Sequence, residues 1–419
     1  MRGDPYLYRG GRRHERRRHA ARYLLVSLVA LVVVAGVLVG VQLLRSVPPV
    51  SAVVVRRASP AFAGGPWSPA LPAGTESVVT IGGVGTLASQ GGSSEIPIAS
   101  VAKVMSALVV LRDHPLRPGQ PGPAITVTPA DVATYRSELA AQDSVVAVQV
   151  GERLSELDAL KAALVPSADN VIEMLARWDA GSTAAFVAKM NAEARQLGLA
   201  HTHYAGPSGV DPATVSTAAD QVRLARIALG NPVFASIVAR AQVVLPVAGL
   251  QYNVDADLGR DGIVGVKTGW VPQGGASFVF AANHRLGRRT VRVLGAIVGD
   301  SSVPAIPTVL SAARRAVRSV DAGLVEQQVV GAGTRVATLD AAYGAAVPVV
   351  TASGATLLGW RGARVAETVE LLHDLHAPVA RGARVGTLTV SLGSERASVA
   401  LVAAGRLAGP TLGWRLTRL

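Results

Sequence analysis

The pattern of apolar and polar positions divides the chain into stretches of different character. Tyr23 to Leu44 is apolar throughout except for Ser27 and Gln42, and at about 1.5 Å per residue it is long enough to cross the roughly 30 Å hydrocarbon core of a bilayer. Residues 45–73 hold Pro48-Pro49, Pro60, Gly64-Gly65-Pro66, Pro69 and Pro72, a density that predicts an extended spacer without regular structure. Glu76 to Ser89 then alternates around Gly82-Gly83 and Gly85 as a strand hairpin does. A solid apolar run, Val101 to Leu111, stops at Asp113-His114-Pro115, and Leu154 to Leu164 and Val171 to Trp178 repeat at helical spacing. Asp261 to Trp270, Ser277 to Ala282 and Thr290 to Gly299 read as an antiparallel meander. Val303 to Val320 reads as a helix with Arg314, Arg315 and Arg318 on its polar side. Beyond residue 323 the pattern becomes short alternations between glycine turns: Thr334 to Leu339, Val347 to Ala352, Val385 to Val390 and Ala397 to Val402. The fold class this predicts is α+β, an antiparallel sheet flanked by helices over 74–322, followed by a small all-β region over 323–419.

Charge changes the picture mainly at the start. The net charge is +13, and the first 22 residues carry eight arginines against Asp4 and Glu15. Arginines on that flank predict a basic cytoplasmic tail (1–22), a single transmembrane helix (23–44), and everything after Arg45 outside the cell membrane. A cleaved signal peptide is the rival reading; its apolar region is usually shorter, and no small-x-small boundary follows Leu44. The tail has no interleaved aromatic residues and abuts a membrane span, so nucleic acid is not expected as a partner, whereas the lipid bilayer is. The chain has no cysteine, which excludes thiol catalysis, disulfides and cysteine-held metals.

Chemistry is concentrated at the lysines. Only Lys103, Lys161, Lys189 and Lys267 occur among 41 basic residues. Arginine cannot deprotonate in a protein and a desolvated lysine can, so lysine is kept where a proton must move. Ser100 and Lys103 stand three apart at the start of the apolar helix, on one helical face, with serine at a position suited to capping. Such a lysine can take the serine's proton. Lys267-Thr268-Gly269-Trp270 ends a strand: the lysine and threonine can receive a carboxylate, and the glycine lets a ligand lie along the backbone. Between these, Pro166-Ser167-Ala168-Asp169-Asn170 joins two helices, a place from which a serine hydroxyl can point into a cleft. His201 and His203 are two apart but lack a third ligand nearby, so no metal or cofactor is expected.

In this order the three elements resemble the Ser-x-x-Lys, Ser-x-Asn and Lys-Thr-Gly signature of penicillin-recognising serine enzymes. Longer phrases narrow the resemblance to the D-alanyl-D-alanine carboxypeptidases, the low-molecular-weight penicillin-binding proteins: Ile98 to Met105, Met190 to Ala194 with Leu197-Gly198-Leu199, Thr202-His203-Tyr204, Gly209-Val210-Asp211 and Ser216 to Asp220. Ala377 to Gly382 extends it loosely into the β-rich C-terminal region. The resemblance implies a β-lactamase/transpeptidase-like catalytic domain. In it Ser100 is the acylated nucleophile, Lys103 its base, and Ser167 the relay to the departing D-alanine. Lys267 and Thr268 hold the terminal carboxylate, Gly269 leaves the clearance, and the backbone N–H groups of Ser100 and Trp270 form the oxyanion hole. Peptidoglycan stem peptides are then the substrate and β-lactams the inhibitors. Asp169 departs from the family's asparagine, and an ionised carboxylate cannot donate to a substrate carbonyl. Either Asn170 takes that place or Asp169 orients Lys103. A β-lactamase, and a catalytically silent wall-binding or sensor protein of the same fold, are the two other functions open to this sequence.

Overall fold

The computed structural model describes residues 11–55 and 59–418, with side chains from residue 17. The first ten residues of the basic tail and residues 56–58 of the predicted spacer lie outside the described residues. One helix, Gly11–Leu44, carries the first apolar stretch. Its segment Arg17–Leu44 is long and apolar enough to cross a membrane, and the apolar window is not buried against protein. Leu28, Val33 and Leu38 all stand exposed; a helix that is apolar all round is suited to lipid.

The central sheet is antiparallel, in the spatial order Ile263–Val271, Gly275–Leu286, Arg289–Asp300, Glu76–Ile81 and Gly85–Gln90. Side chains one residue apart leave a strand on opposite faces. Phe278, Phe280 and Ala282 accordingly join Val293 and Ile297 beneath helix Ala305–Gly323, through its Val309, Ala313, Val317 and Val320. Val279 and Ala281 face the other way, into a core shared with helices Lys103–Asp113, Glu156–Leu164, Asp169–Ala180 and Ala218–Ala228. The sheet is therefore covered on both faces, which is why its middle strand reads as an almost unbroken apolar run. Close packing reaches Gly295, where a Cβ would lie 2.2 Å from the Phe280 ring. The strand Ile263–Val271 is the sheet's edge, so its outer side is open to the segment around Ser100.

The C-terminal part is a second antiparallel sheet, ordered Ser51–Val54, Arg335–Asp340, Ala346–Thr351, Glu395–Ala403, Arg384–Leu392 and Ala366–Leu371. The ribbon Leu324–Val330 with Ala355–Trp360 packs beside it. Its core includes Val336, Leu339, Val349, Leu388, Val390 and Leu401.

The first strand of this second sheet corrects one expectation. Residues 45–73 are not a free spacer: Ser51–Val54 pairs with Arg335–Asp340, and the Phe62 N–H donates to the Ala363 carbonyl at 2.9 Å. Phe62 is 2% exposed, and a Cβ on Gly359 would lie 2.4 Å from its ring. Trp67 sits closer still over Gly323, at the end of the last helix of the first region, where a Cβ would lie 2.0 Å from its ring. The prolines break helices and internal ladders, but they do not forbid an edge strand or anchored turns between them. Truncating Phe62 to alanine should therefore cost about 3–5 kcal/mol, as for a buried aromatic residue. Equilibrium denaturation of the Phe62→Ala protein checks this, and an unchanged midpoint would restore the spacer reading.

Candidate active site

The chain reaches Ser100 through Ile96–Pro97, which pairs with Val215–Ser216. Ala99 then takes a φ of +50°, and Ala99–Ala102 forms one turn of 3-10 helix leading into helix Lys103–Asp113. Ser100 is thus inside a tight turn rather than at the helix cap. The capping position of that turn is Ile98, without a side-chain bond. Free of capping, the Ser100 hydroxyl accepts a hydrogen bond from the Lys103 amine at 2.7 Å. Two glycines keep this turn in place. A Cβ on Gly209 would sit 1.9 Å from the Ala99 carbonyl oxygen. One on Gly269 would be 2.7 Å from the Ile98 carbonyl and 3.0 Å from the Ser100 nitrogen.

Lys103 is fully buried. Besides Ser100 its amine meets Asp169 Oδ1 at 2.5 Å, the Ser208 carbonyl at 3.2 Å and Ser167 Oγ at 3.4 Å. Ser167 takes φ +69°, a left-handed turn between two helices. Asp169 opens helix Asp169–Ala180, where the positive end of the helix dipole favours a carboxylate. Its second oxygen accepts the Ser144 N–H at 3.1 Å. Of the two places open to Asp169, the structure takes the one in which it pairs with Lys103. Asn170 does not replace it as the partner of Lys103. Its amide is used on Val146, accepting from the backbone N–H at 3.1 Å and donating to the carbonyl at 3.0 Å. That pair holds the loop 144–146 over the site.

Lys267 is buried on the facing strand and donates to the Thr268 carbonyl at 3.0 Å. Burial pushes it down to about 7, and the nearby Lys103 charge adds to this, while Asp169 and Asp255 oppose it. Asp255 is pushed up to about 6, again chiefly by burial. Thr268 is buried beside Lys267, and Trp270 is half exposed at the rim of a cavity of about 630 Å³ that also takes in Gln273, Asp300 and Ser301. Ser100, Lys103, Ser167 and Asp169 therefore form one hydrogen-bonded cluster, with Lys267 close enough to feel its charges. The arrangement suits acyl transfer: a hydroxyl against an amine, a second hydroxyl on the same amine, and an ammonium-bearing edge strand along which an extended ligand can lie. His203 pairs through its backbone with Val215, and among the described residues no cluster of three metal-ligating side chains occurs.

A family model described as D-alanyl-D-alanine carboxypeptidase (peptidase S11) matches residues 72–298, more than half of the chain. The chain belongs to that family. D-alanyl-D-alanine carboxypeptidase DacB2 of Mycobacterium tuberculosis is 36% identical over 202 residues, covering 46% of this chain and 65% of that protein. A D-alanyl-D-alanine endopeptidase of Pseudomonas aeruginosa is 35% identical over 174 residues, 41% of this chain and 53% of that one. The chain thus spans between half and two thirds of the length of these two curated relatives. In fold it is similar to penicillin binding protein 5 from Haemophilus influenzae (TM-score 0.58, 22% identity, 82% of this chain and 100% of that one). It is also similar to the carboxypeptidase DacD from Francisella tularensis (TM-score 0.55, 19% identity, 88% and 98%).

For a member of the S11 family, sequence reasoning left out four contributors to the site. Gly209 stands in a phrase noted only as resemblance, and the Ser208 carbonyl comes just before that phrase. Ser144 binds Asp169 through its backbone and so has no sequence signal. Asp255 acts on Lys267 from a loop with no motif. Two pH effects follow from the charges. If Lys267 receives a peptide carboxylate it must be cationic to do so, and kcat/KM for an anionic peptide should then hold below pH 7 and fall as pH rises through about 7. A bound carboxylate favours the cation, so the limb in kcat should lie higher. Steady-state kinetics across pH checks both, and profiles that stay flat through pH 7 would remove the assignment.

Proposed function

We propose that this protein is a membrane-anchored serine peptidase that removes the terminal D-alanine from D-Ala-D-Ala peptides of peptidoglycan through an acyl-enzyme on Ser100. The 2.7 Å contact between the Ser100 hydroxyl and the buried Lys103 amine carries the reading, and membership of the S11 family supports it. The Ser100 oxygen attacks the penultimate carbonyl and its proton passes to the Lys103 nitrogen. For that nitrogen to have a free lone pair its own extra proton must go elsewhere, and Asp169 at 2.5 Å is the acceptor in place. The proton then travels by way of Ser167 to the departing amine, and water releases the acyl group. Lys267, whose described hydrogen bond is only to a backbone carbonyl, would balance the terminal carboxylate of the substrate.

The apolar helix supplies the membrane anchor, and the arginines before it favour an outward-facing catalytic region. Several relatives are named endopeptidases; release of free D-alanine, against cleavage of a cross-linked dimer, separates the two activities. Glu138 lies within electrostatic reach of Lys103 and Asp169, and burial with the Asp169 and Glu173 charges pushes it up to about 8.

The test is intact mass of the full-length protein in detergent, followed over time after addition of benzylpenicillin. A persistent adduct mapping to Ser100, absent from Ser100→Ala and from Lys103→Arg, is expected. An adduct that disappears as the drug is consumed would make the protein a β-lactamase. No adduct and no consumption would make it the silent binding protein.

A further inference from the structure

The outer end of the apolar helix is gripped by the far end of the chain. The last four carbonyls of any helix lack partners within it. Here the Arg418 guanidinium donates to the Gln42 carbonyl at 3.0 Å, to the Ser46 carbonyl at 3.0 Å, and to the Arg45 carbonyl. Arg415 reaches the Leu43 carbonyl at 3.4 Å, and the Gln42 side chain donates back to the Arg418 carbonyl at 2.8 Å. Two cations at a helix C-terminus also meet the negative end of its dipole. Behind this grip Arg418 stacks over the Trp414 ring at 5.2 Å, and Trp414 meets Tyr343 edge-on, with ring centroids 5.6 Å apart. Tyr343 in turn donates to the Ala408 carbonyl, which ties the short helix Leu412–Thr417 to the C-terminal sheet.

This has a consequence for where the segment lies. If Arg17–Leu44 crosses the bilayer, groups hydrogen-bonded to the carbonyls of residues 42–46 stand at the headgroup level. The surface there has the matching composition. Leu44, Leu412 and Leu416 are 88%, 69% and 42% exposed. Arg45, Arg415 and Arg418 crowd together, and among the described residues none of them forms an ion pair with a carboxylate. Desolvation, then the charges of Arg45 and Arg415, lower the basicity of Arg418. Leucines beside a Trp/Tyr pair and a patch of arginines form the composition that seats in an anionic lipid interface.

We propose that Arg45 and the segment Leu412–Arg418 form a lipid-binding clasp. In it the arginines take the phosphates of anionic headgroups, the leucines enter the acyl boundary, and the C-terminal sheet is fixed against the membrane at the exit of the helix. The proposal rests on the reading of residues 17–44 as a membrane span, and the test keeps the two apart. The chain has no cysteine, so a single one can be placed in the full-length protein and labelled with an environment-sensitive fluorophore. Three sites serve: Leu416→Cys in the clasp, Val33→Cys in mid-helix, and Val244→Cys on the exposed surface of the catalytic region. Each protein is reconstituted into vesicles of phosphatidylcholine alone or mixed with phosphatidylglycerol, carrying spin-label quenchers at headgroup or mid-chain depth.

The expected result is mid-chain quenching at position 33, headgroup-level quenching at 416 that is several-fold stronger with phosphatidylglycerol, and none at 244. Arg415→Gln with Arg418→Gln should abolish that preference. Quenching at 33 with none at 416 would overturn the clasp and leave the span intact. Equal quenching at 416 in both lipids would overturn the phosphate role. No quenching at 33 would overturn the span, and the clasp with it.

Discussion

A buried ammonium must have an acceptor for each of its hydrogens, because leaving one unmet in a dry interior costs several kcal/mol. Lys103 imposes that condition on the whole first region. Its acceptors come from three separate parts of the chain: Ser100 on its own turn, Ser167 and Asp169 at a helix junction, and the carbonyl of Ser208. Each is delivered by an unusual piece of backbone. Ala99 and Ser167 lie in the left-handed region, and Gly209 must be glycine to let the Ser208 loop come against the Ala99 carbonyl. Strain of about 1–3 kcal/mol at each such non-glycine residue persists only where the surroundings over-determine it. Here the apolar core around Val101, Met105, Ile172 and Tyr204 does so.

The same interaction accounts for the departure at Asp169. The carboxylate offers something an amide cannot, two acceptor oxygens: one meets the Lys103 amine and the other the Ser144 N–H. Asn170, next along the helix, is left to hold the loop above. The arrangement also sets the electrostatics of the opposite wall. Burial disfavours the Lys267 cation, the charge of Lys103 adds to this, and Asp169 and Asp255 act against it.

The local elements of the catalytic region were legible because their signals are short-range. The hairpin at Gly82-Gly83, the meander around Lys267 and the helix after residue 303 follow from alternation and apolar spacing, and they occur at those places. The partners of Ser100 were nameable for another reason: a hydroxyl and an amine three residues apart report their own proximity. What the sequence withheld was set by tertiary contacts. Ser100 looked like a cap because serine caps helices, and the 3-10 turn that displaces it depends on the closeness of Gly209 and Gly269. The Asn170–Val146 and Asp169–Ser144 bonds join side chains to backbone about 25 residues away, and no composition rule marks such a partner.

Residues 45–73 show the same limit in reverse. Each of their prolines argues locally against regular structure, and that argument is sound for the residue it concerns. It says nothing about the residues between, and Val50, Ser51–Val54 and Phe62 are bound into the C-terminal sheet. The physical result is that only a handful of residues separate the end of the apolar helix from the first strand of that sheet. A true spacer would let the catalytic cleft range over tens of ångströms from the membrane. A strand paired four residues deep, backed by arginines on the helix end, ties the reach of the cleft instead to the dimensions of the C-terminal sheet. The C-terminal region thereby links the end of the apolar helix to the region that holds Ser100.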